Sequence, residues 1–307
     1  MNPETTRLFT QVHPVTKIGK IIQFPATRIL IALIFLLPAT MIHNFLYDYF
    51  IENLEKPLYY FAHNAERIFN FLLFYFSYRL YVKYIERRPA YEISVKGALP
   101  EFGNGTVIGG SLISVAVAAM AIPGYYQITG FDSAWWLLNG VFQFGIGSFL
   151  EELIFRLILF RLLEELTGTW ISLVAISLLF GFMHLGNENA SVWSSISITL
   201  EDLIIVGIYM TTRRLWMVWG LHFGWNYFQD GIFGLPNSGE TSFPGWINPT
   251  VEGPEWFTGG SFGIEASVVI ILLTVAGGIY LLVRAYQKGL IISPRWRRKA
   301  PVAEITA

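Results

Sequence analysis

Long stretches without a charged residue are the feature that most limits what this chain can fold into. Such stretches lie between Arg28 and Asp48, from Phe102 to Phe131, and between Glu265 and Arg284. Charged residues make up 14% of the 307 residues and hydrophobic residues 53%, whereas about a quarter of a soluble protein is charged. A soluble domain of this size could not cover its surface with so little charge. The sequence therefore predicts an integral membrane protein.

Eight apolar segments approach the length of ~20 residues that a membrane-spanning helix needs. They predict an all-α fold, a polytopic membrane bundle of about eight transmembrane helices in a single domain, residues 29–287. Tails at 1–28 and 288–307 flank this domain. The predicted spans are Ile29–Tyr49, Ile68–Ile85, part of the uncharged run 102–131, Ala134–Leu166, Trp170–Leu185, Val192–Thr212, Leu215–Phe228 and Ala266–Val283.

The distribution of basic residues predicts the orientation of the bundle. An even number of spans puts both termini on the same side of the membrane, and the connections on that side carry most of the Lys and Arg residues. The opposite connections carry only Lys56 and Arg67. By the positive-inside rule both termini are cytoplasmic. The long connection 229–265, rich in Gly and aromatic residues, is then an outer loop, and we expect it to form an ordered cap.

Composition also excludes several kinds of function. The formal net charge is −1, so the chain has no basic field for nucleic acid. It contains no cysteine, which excludes disulfides, a thiolate metal site and a cysteine nucleophile. Together with the short loops, the absence of cysteine favours a prokaryotic cell membrane as the location.

Charged residues within a predicted span mark functional sites because placing them in the bilayer is costly. The fourth span carries Glu151, Glu152 and Arg156. Glu152 and Arg156 are four positions apart on one helix face, in the favourable acid-first order, and are expected to pair. Glu151 projects about 100° away and has no local partner. An unpaired carboxylate at this depth is a candidate general base.

Two further spans carry isolated polar side chains. His184 is the one ionisable residue near the end of the fifth span, and His222 and Asn226 share a face of the seventh. Each also has a structural interpretation, as a buried histidine or as a hydrogen bond between helices. Glu201 and Asp202 lie midway along the sixth span, and the sequence leaves their role open.

This set of one carboxylate, two imidazoles and an amide is suited to hydrolysis if the fourth, fifth and seventh spans, which carry these groups, are neighbours. Glu151 with His184 could deprotonate a water molecule, and His222 with Asn226 could stabilise an oxyanion. Two His and one Glu also match a zinc set with an open position. Counting 1.5 Å per residue from the cytoplasmic helix ends, however, leaves His222 about 10 Å shallower than Glu151 and His184.

Three motifs on separate spans resemble those of the CPBP (CAAX protease and bacteriocin-processing, Abi) intramembrane proteases, which are related to the type II CAAX prenyl endopeptidase. The motifs lie between residues 149 and 226, and the eight-span layout extends the resemblance over most of the chain. They are Glu151-Glu152-x-x-x-Arg156, Phe180-x-x-x-His184 and His222-x-x-x-Asn226.

The resemblance implies an intramembrane endopeptidase that acts on membrane-associated proteins or peptides, some of them lipid-modified. Glu151 would activate water with His184 as its partner, and His222 and Asn226 would bind the oxyanion or the water. If a metal is used, zinc or another divalent ion would be held by Glu151, His184 and His222. A glutamate-type site without an obligate metal is the favoured alternative to a metalloprotease.

Two residues of the first motif would hold the site in place. The resemblance assigns the ion pair of Glu152 and Arg156 this structural role. Leu157 departs from the pattern, because family members often have Gly after the Arg, and we expect this change to affect packing and not chemistry.

Two other functions remain open at this stage. A non-catalytic membrane immunity or peptide-binding protein could use the same pocket between the helices. A proton-coupled transporter is suggested by the acids Glu151, Glu201 and Asp202 inside predicted spans, although the chain lacks the paired halves expected of inverted repeats.

Overall fold

A computed structural model describes residues 7–10, 12 and 14–298. The predicted tails 1–28 and 288–307 therefore lie partly outside the described residues. The described chain is mostly helical. Its α-helices, in chain order, are α1 (Lys17–Ile22), α2 (Pro25–Leu46), α3 (Leu58–Tyr81), α4 (Ala98–Ala121), α5 (Trp135–Glu152), α6 (Arg161–Thr167), α7 (Thr169–Met183), α8 (Val192–Thr212), α9 (Leu215–Asn226), α10 (Glu255–Thr258) and α11 (Val268–Gln287).

Five helical segments of the described chain are long and apolar enough to cross a membrane. The prediction of a multi-pass helical membrane protein is therefore confirmed in its coarse form, while the count of eight spans and the cytoplasmic placement of the termini stay predictions. The five segments are Pro25–Ile51, Ala98–Ala121, Thr169–Gly186, Val192–Thr212 and Val268–Gln287.

The second predicted span begins earlier than the apolar pattern indicates. Helix α3 starts at Leu58 and not at Ile68, so its first turns contain several polar side chains. One of them, the buried Glu66, accepts a hydrogen bond from His43 of α2 at 2.6 Å. A neighbouring helix thus supplies the partner that lets this polar stretch stay helical.

A two-stranded antiparallel sheet departs from the predicted all-α fold. Strand β1 (Tyr126–Phe131) pairs with β2 (Ile247–Val251). The sequence placed residues 126–131 in an uncharged run around the third span, but helix α4 ends at Ala121 and Gly124 takes a left-handed φ of +84°. Strand β2 comes from the outer loop 229–265, so the sheet ties this loop to the end of α4.

Glycines allow α4 and α9 to pack backbone against backbone. On α4, a side chain added at Gly105 or Gly109 would lie 2.2 Å or 2.1 Å from a carbonyl oxygen of α9. On α9, one added at Gly220 or Gly224 would lie 2.1 Å or 2.3 Å from a carbonyl oxygen of α4. Such small-residue contacts are typical of helices that associate in membranes. The contact holds the helix that carries His222, which lies between the two glycines of α9.

This packing predicts opposite effects for two alanine substitutions on α4. We expect Gly109→Ala to lower the free energy of unfolding by about 1–3 kcal/mol, because the added methyl group overpacks a backbone contact. Gly103→Ala is the matched control, since nothing lies within 4 Å of its added Cβ. It should raise stability slightly, through the better helix propensity of alanine. Thermal unfolding of both variants in the same detergent tests this, and equal midpoints would contradict the packing.

Buried ion pairs hold the ends of several helices together. Glu86, just after α3, is fully buried and lies 3.0 Å from Arg28 of α2, 2.9 Å from Arg161 of α6 and 2.8 Å from Arg88. The sequence treated these arginines as loop charges facing the cytoplasm. The fold buries them, because Glu86 supplies a counter-ion to Arg28 and Arg161 from a distant part of the chain and to Arg88 from two residues away.

A second carboxylate of this cluster, Glu92, lies in the connection between α3 and α4. Burial alone would raise the pKa of Glu92, but the charge of Arg88 and its hydrogen bonds to the carboxylate hold this pKa below its usual value. Tyr78 of α3 also donates to Glu92. The connection is therefore anchored to the bundle by charge and hydrogen bonds.

Candidate active site

The predicted ion pair of the first motif lies at the centre of a larger buried network. Arg156 donates from Nε to Glu152 Oε2 at 2.8 Å, and neither side chain is exposed. The other end of the Arg156 guanidinium binds Asp202 of α8. Asp202 also accepts from the Ser177 hydroxyl of α7 at 2.6 Å. The sequence left the role of Asp202 open, and in the structure this residue makes structural contacts. Asp202 links α8 to α7 through Ser177 and to Glu152 of α5 through Arg156.

The second oxygen of Glu152 fixes the orientation of a histidine on α9. Glu152 Oε1 accepts from His222 Nδ1 at 2.8 Å. The ring therefore carries its Nδ1 proton toward Glu152 and presents Nε2 on the opposite side. Nε2 lies 3.9 Å from Glu151 Oε2, which is too long for a direct hydrogen bond. This gap is of the size that a bridging water molecule fills.

Glu151 differs sharply from the acid beside it. Its side chain is 41% exposed, whereas that of Glu152 is fully buried. The two acids point apart, as neighbouring positions of one helix must. The helix then widens to a π-helical stretch, Leu153–Phe160, directly after the acid pair. Such stretches are frequent at functional sites.

His184 lies in the short turn that follows α7, and its ring is also held by one nitrogen. Nδ1 donates to the carbonyl oxygen of Phe180 at 2.7 Å, which leaves Nε2 as the acceptor of a neutral ring. The ring packs edge-on against Phe180 with centroids 4.9 Å apart. The guanidinium carbon of Arg156 also lies over the Phe180 ring, 5.3 Å from its centroid. Phe180 of the second motif thus joins the histidine to the ion-pair network.

A cavity of about 360 Å³ is lined by Glu151, His184, His222 and Asn226 together. The four residues that the sequence proposed as catalytic thus come from three separate stretches of chain and line one cavity. The outer loop forms the opposite wall, with polar residues that the sequence analysis did not identify. These are Asp230, Asn237, Ser238, Glu240 and Ser242.

His222 lies beside Glu151 despite the depth mismatch counted from the sequence, since its Nε2 is 3.9 Å from Glu151 Oε2. Arg213, just before α9, is buried and pairs with Glu164 of α6 at 2.5 Å. Its guanidinium also donates to the Leu290 carbonyl at 2.9 Å. The start of α9 is therefore held beside α6.

A smaller pocket lies behind His184 and His222 and contains a second pair of acids. Glu201 of α8 and Glu265, just before α11, both line it and both are buried. Glu265 accepts from the Ser238 backbone N–H and hydroxyl, which anchors the outer loop. Burial raises the pKa of Glu265 above its usual value. Nothing in the local sequence marked Glu265, because the fold alone brings it to Glu201.

Asp230 is a further acid of the main cavity, beyond the predicted seventh span. Burial, with a smaller contribution from the charge of Glu265, raises the pKa of Asp230 to about 8. Protonated Asp230 is a hydrogen-bond donor, so at neutral pH this wall of the cavity is less acidic than its residue types indicate.

The residues of the cavity do not fit a metal ion as they are arranged. Within residues 7–10, 12 and 14–298, no group of three or more His, Asp or Glu side chains is placed to hold one. His222 Nδ1 and His184 Nδ1 are both used in hydrogen bonds within the protein, so each ring has only its Nε2 atom available to a metal. Among the described residues, the proposed ligand set Glu151, His184 and His222 does not converge on one point.

The fold and the cavity together define the class of this protein. It is a helical protein of the multi-pass membrane type, with a cavity inside its bundle where a carboxylate, two imidazoles and an amide meet.

Residues 133–228 match the family model described as Type II CAAX prenyl endopeptidase Rce1-like. This segment contains all three motifs, and over it the chain is similar to the CAAX proteases. No curated protein and no solved structure matches the chain.

Proposed function

We propose that this protein is an intramembrane endopeptidase that hydrolyses peptide bonds of membrane-associated substrates with a water molecule activated by Glu151. The observation that carries the proposal is the single cavity lined by Glu151, His184, His222 and Asn226. The outer loop forms one wall of this cavity, and the lining contains further polar residues such as Gln143 and Ser148.

The hydrogen bonds of the two histidines support a division of their roles. His184 donates from Nδ1 to a carbonyl, so its Nε2 accepts a hydrogen bond from the water and orients it. Glu151 takes the other proton as the water oxygen attacks the carbonyl carbon. Its partial exposure keeps it within reach of solvent. As the C–N bond breaks, Glu151 gives this proton to the leaving nitrogen, and the second proton of the water stays on the new carboxylic acid until that acid ionises, so that one amine and one carboxylate are formed.

The tetrahedral oxyanion would be stabilised from α9. Glu152 holds Nδ1 of His222 and stabilises the protonated ring, whose Nε2–H then donates into the cavity. The side-chain amide of Asn226, one turn further along α9, supplies a second donor. Because Arg156 and Asp202 hold Glu152 in place, these donors are fixed before the substrate arrives, which is the condition for electrostatic stabilisation of a transition state.

The role of Asn226 predicts a kinetic signature. We expect Asn226→Ala to lower kcat by about 10²–10³-fold with little change in KM, because a donor to the oxyanion acts mainly in the transition state. Steady-state kinetics on one cleaved peptide measure both constants. A rise in KM at constant kcat would show that Asn226 binds the substrate and not the oxyanion.

The proposed reaction is tested by hydrolysis in H₂¹⁸O. Purified protein in lipid nanodiscs is incubated with a mixture of apolar, membrane-derived peptides, and the products are identified by mass spectrometry. We expect new internal C-termini that carry ¹⁸O, and none with the Glu151→Gln protein, which controls for contaminating proteases. Peptides that bind without being cleaved would favour the non-catalytic peptide-binding protein, and identical cleavage by both preparations would reject Glu151 as the base.

A further inference from the structure

A pocket of about 280 Å³ lies where the chain before α2 meets the chain that follows α11. Its lining includes Thr10 and Lys20 from the first of these segments, Glu165 of α6, and Arg295 and Arg298 from the second. These five residues are not part of the lining described for the catalytic cavity. The proposed mechanism therefore gives this pocket no role, and we call it the basic pocket.

The basic pocket has an excess of positive charge. Lys20, Arg295 and Arg298 are its cations, and Glu165 is the one acid among its described lining residues. The Glu165 carboxylate forms an ion pair of 2.5 Å with Arg28, whose side chain is fully buried. Since this carboxylate already has a counter-ion inside the bundle, the three cations of the pocket are left to attract an anion from outside the protein.

Arg298 shows this lack of a counter-ion most directly. Its guanidinium donates to the backbone carbonyl of Glu165, which is a neutral acceptor. In the described part of the chain its buried Nε atom has no hydrogen-bond partner. Burial lowers the pKa of Arg298, although the charge of Glu165 acts in the opposite direction. A guanidinium in this environment is stabilised by an anion, because hydrogen bonds between charged partners are the strong ones.

Aromatic rings hold the two arginines in place. The guanidinium carbon of Arg295 lies over the Phe24 ring, 5.9 Å from its centroid. That of Arg298 lies over the Phe9 ring at 5.4 Å. An arginine that stacks on a ring keeps its N–H groups at the edge of the guanidinium plane, where they can bind a phosphate. The rings thus orient both cations before any ligand is bound.

Hydrogen bonds fix the wall that comes from the chain before α2. The Thr10 hydroxyl donates to Gln23 Oε1 at 2.8 Å. Gln23 in turn donates from its side-chain amide to the carbonyl of Ile85, just after α3, at 2.7 Å. Both Thr10 and Gln23 line the pocket, so this wall is tied to the bundle and the pocket has a defined shape.

The ends of three apolar segments place the pocket at the level of the lipid headgroups. Helices α2 and α7 belong to segments long and apolar enough to cross a membrane, and they begin at Pro25 and Thr169. Helix α11 is a third such segment and ends at Gln287. The lining residues Gln23 and Glu165 come just before the first two ends. The headgroups of a bilayer lie next to such ends of its spanning helices.

The surface beside the pocket is also typical of a membrane interface. Ile18 and Ile21 of α1 share one face of the helix and are 72% and 63% exposed, whereas Lys20 lies on another face. Trp296, next to Arg295, is 64% exposed. Exposed Trp residues and amphipathic helices with Lys are common where protein meets the lipid surface. The acyl chains of a lipid can lie against α1 while its headgroup enters the pocket.

We propose that the basic pocket binds the phosphate of an anionic membrane lipid through Lys20, Arg295 and Arg298. Arg and Lys are the side chains that bind phosphate in proteins, and clusters of them beside a membrane span recognise anionic lipids. The exposed apolar face of α1 favours a lipid over a soluble phosphate ester. A bound lipid joins the chain before α2 to the chain after α11, so it should stabilise the folded protein. The proposal does not depend on the peptidase function.

Binding is measured by native mass spectrometry on the purified protein in a neutral detergent. The probes are phosphatidylglycerol and phosphatidylcholine with the same acyl chains, and glycerol 3-phosphate. We expect about tenfold tighter binding of phosphatidylglycerol than of phosphatidylcholine, because the choline ammonium is repelled by the cations of the pocket. Equal binding of the two lipids would overturn the proposal. Glycerol 3-phosphate that binds as tightly as phosphatidylglycerol would overturn the assignment of a lipid as the ligand.

Two double variants of equal charge test whether the pocket is the site. Lys20→Gln with Arg295→Gln removes two of its cations, and we expect phosphatidylglycerol to bind about tenfold more weakly. Lys17→Gln with Arg297→Gln is the matched control, since it changes the same helix α1 and the same turn 295–297 at residues that are not part of the described lining. The control should bind within about twofold of wild type. An equal loss in both variants would show that the lipid responds to surface charge and would overturn the site.

Thermal unfolding provides the control for folding and a second measurement. All four substituted side chains are exposed, so both variants should unfold at the wild-type midpoint in detergent without lipid. Added phosphatidylglycerol should raise the midpoint of the wild type and of the control, because a ligand bound to the folded state stabilises it. The same rise in the Lys20→Gln, Arg295→Gln variant would overturn the assignment of the site to these residues.

Discussion

Replacing Glu151 by glutamine is expected to reduce kcat by about 10³–10⁴-fold, near the upper end of what a general base contributes. The amide cannot accept the proton of the water, yet it has nearly the same shape as the carboxylate. KM should change little, because the partly exposed Glu151 makes no ion pair shorter than the 3.9 Å contact with His222. Single-turnover kinetics on a peptide identified by ¹⁸O labelling would measure the chemical step directly.

The control for Glu151→Gln is the same change at another exposed acid. Glu252 lies in the outer loop and does not line the catalytic cavity, and Glu252→Gln should retain wild-type kcat. Thermal unfolding of both variants should match that of the wild type, since neither side chain is buried. A Glu151→Gln protein with more than a tenth of wild-type kcat would show that another group activates the water.

The second large effect is expected on stability. Arg156→Met leaves the carboxylates of Glu152 and Asp202 buried without their shared counter-ion. Removing one partner of a buried ion pair costs about 3–5 kcal/mol, because the remaining charge cannot reach water. We expect the free energy of unfolding to fall by about this amount, together with the loss of activity, since Glu152 then no longer orients His222 through a fixed contact. Unfolding in mixed detergent measures the stability.

Neutralising the stranded acids tests whether charge is the cause. Glu152→Gln and Asp202→Asn, added to Arg156→Met, should recover much of the lost stability, because no charge then remains buried. Activity should not return, since the neutral amide at position 152 cannot stabilise a protonated His222. Arg79→Met, at an exposed arginine of α3, should unfold like the wild type. If the triple variant is no more stable than Arg156→Met, the loss comes from packing around the long side chain.

Local sequence patterns were sufficient for most of the helices. The span Val192–Thr212 was predicted at the bounds that α8 has in the structure, because its apolar run is bounded by a capping serine and by two arginines. The start of α3 and strand β1 were missed for the opposite reason. Their conformations depend on partners distant in sequence, His43 for the polar turns of α3 and the outer-loop strand β2 for β1.

The candidate site shows the same difference between features set by local sequence and features set by distant contacts. Spacing alone identified the pair Glu152–Arg156 and the divergence of Glu151, since both are properties of one helix. The hydrogen bond between Glu152 and His222 joins residues on α5 and α9, and no local pattern could indicate it. The same holds for Asp202, whose partners Arg156 and Ser177 lie on other helices.

The chain by itself determined that the protein is a membrane bundle with ionisable groups on three helices. The reason is that low charge content and helical spacing are local properties of the sequence. Only the tertiary structure decided which of these groups meet. Glycines bring α9 against α4, and the buried Arg213 draws the start of α9 to α6. These contacts join distant parts of the chain, and so the position of His222 opposite Glu151 is a property of the folded bundle.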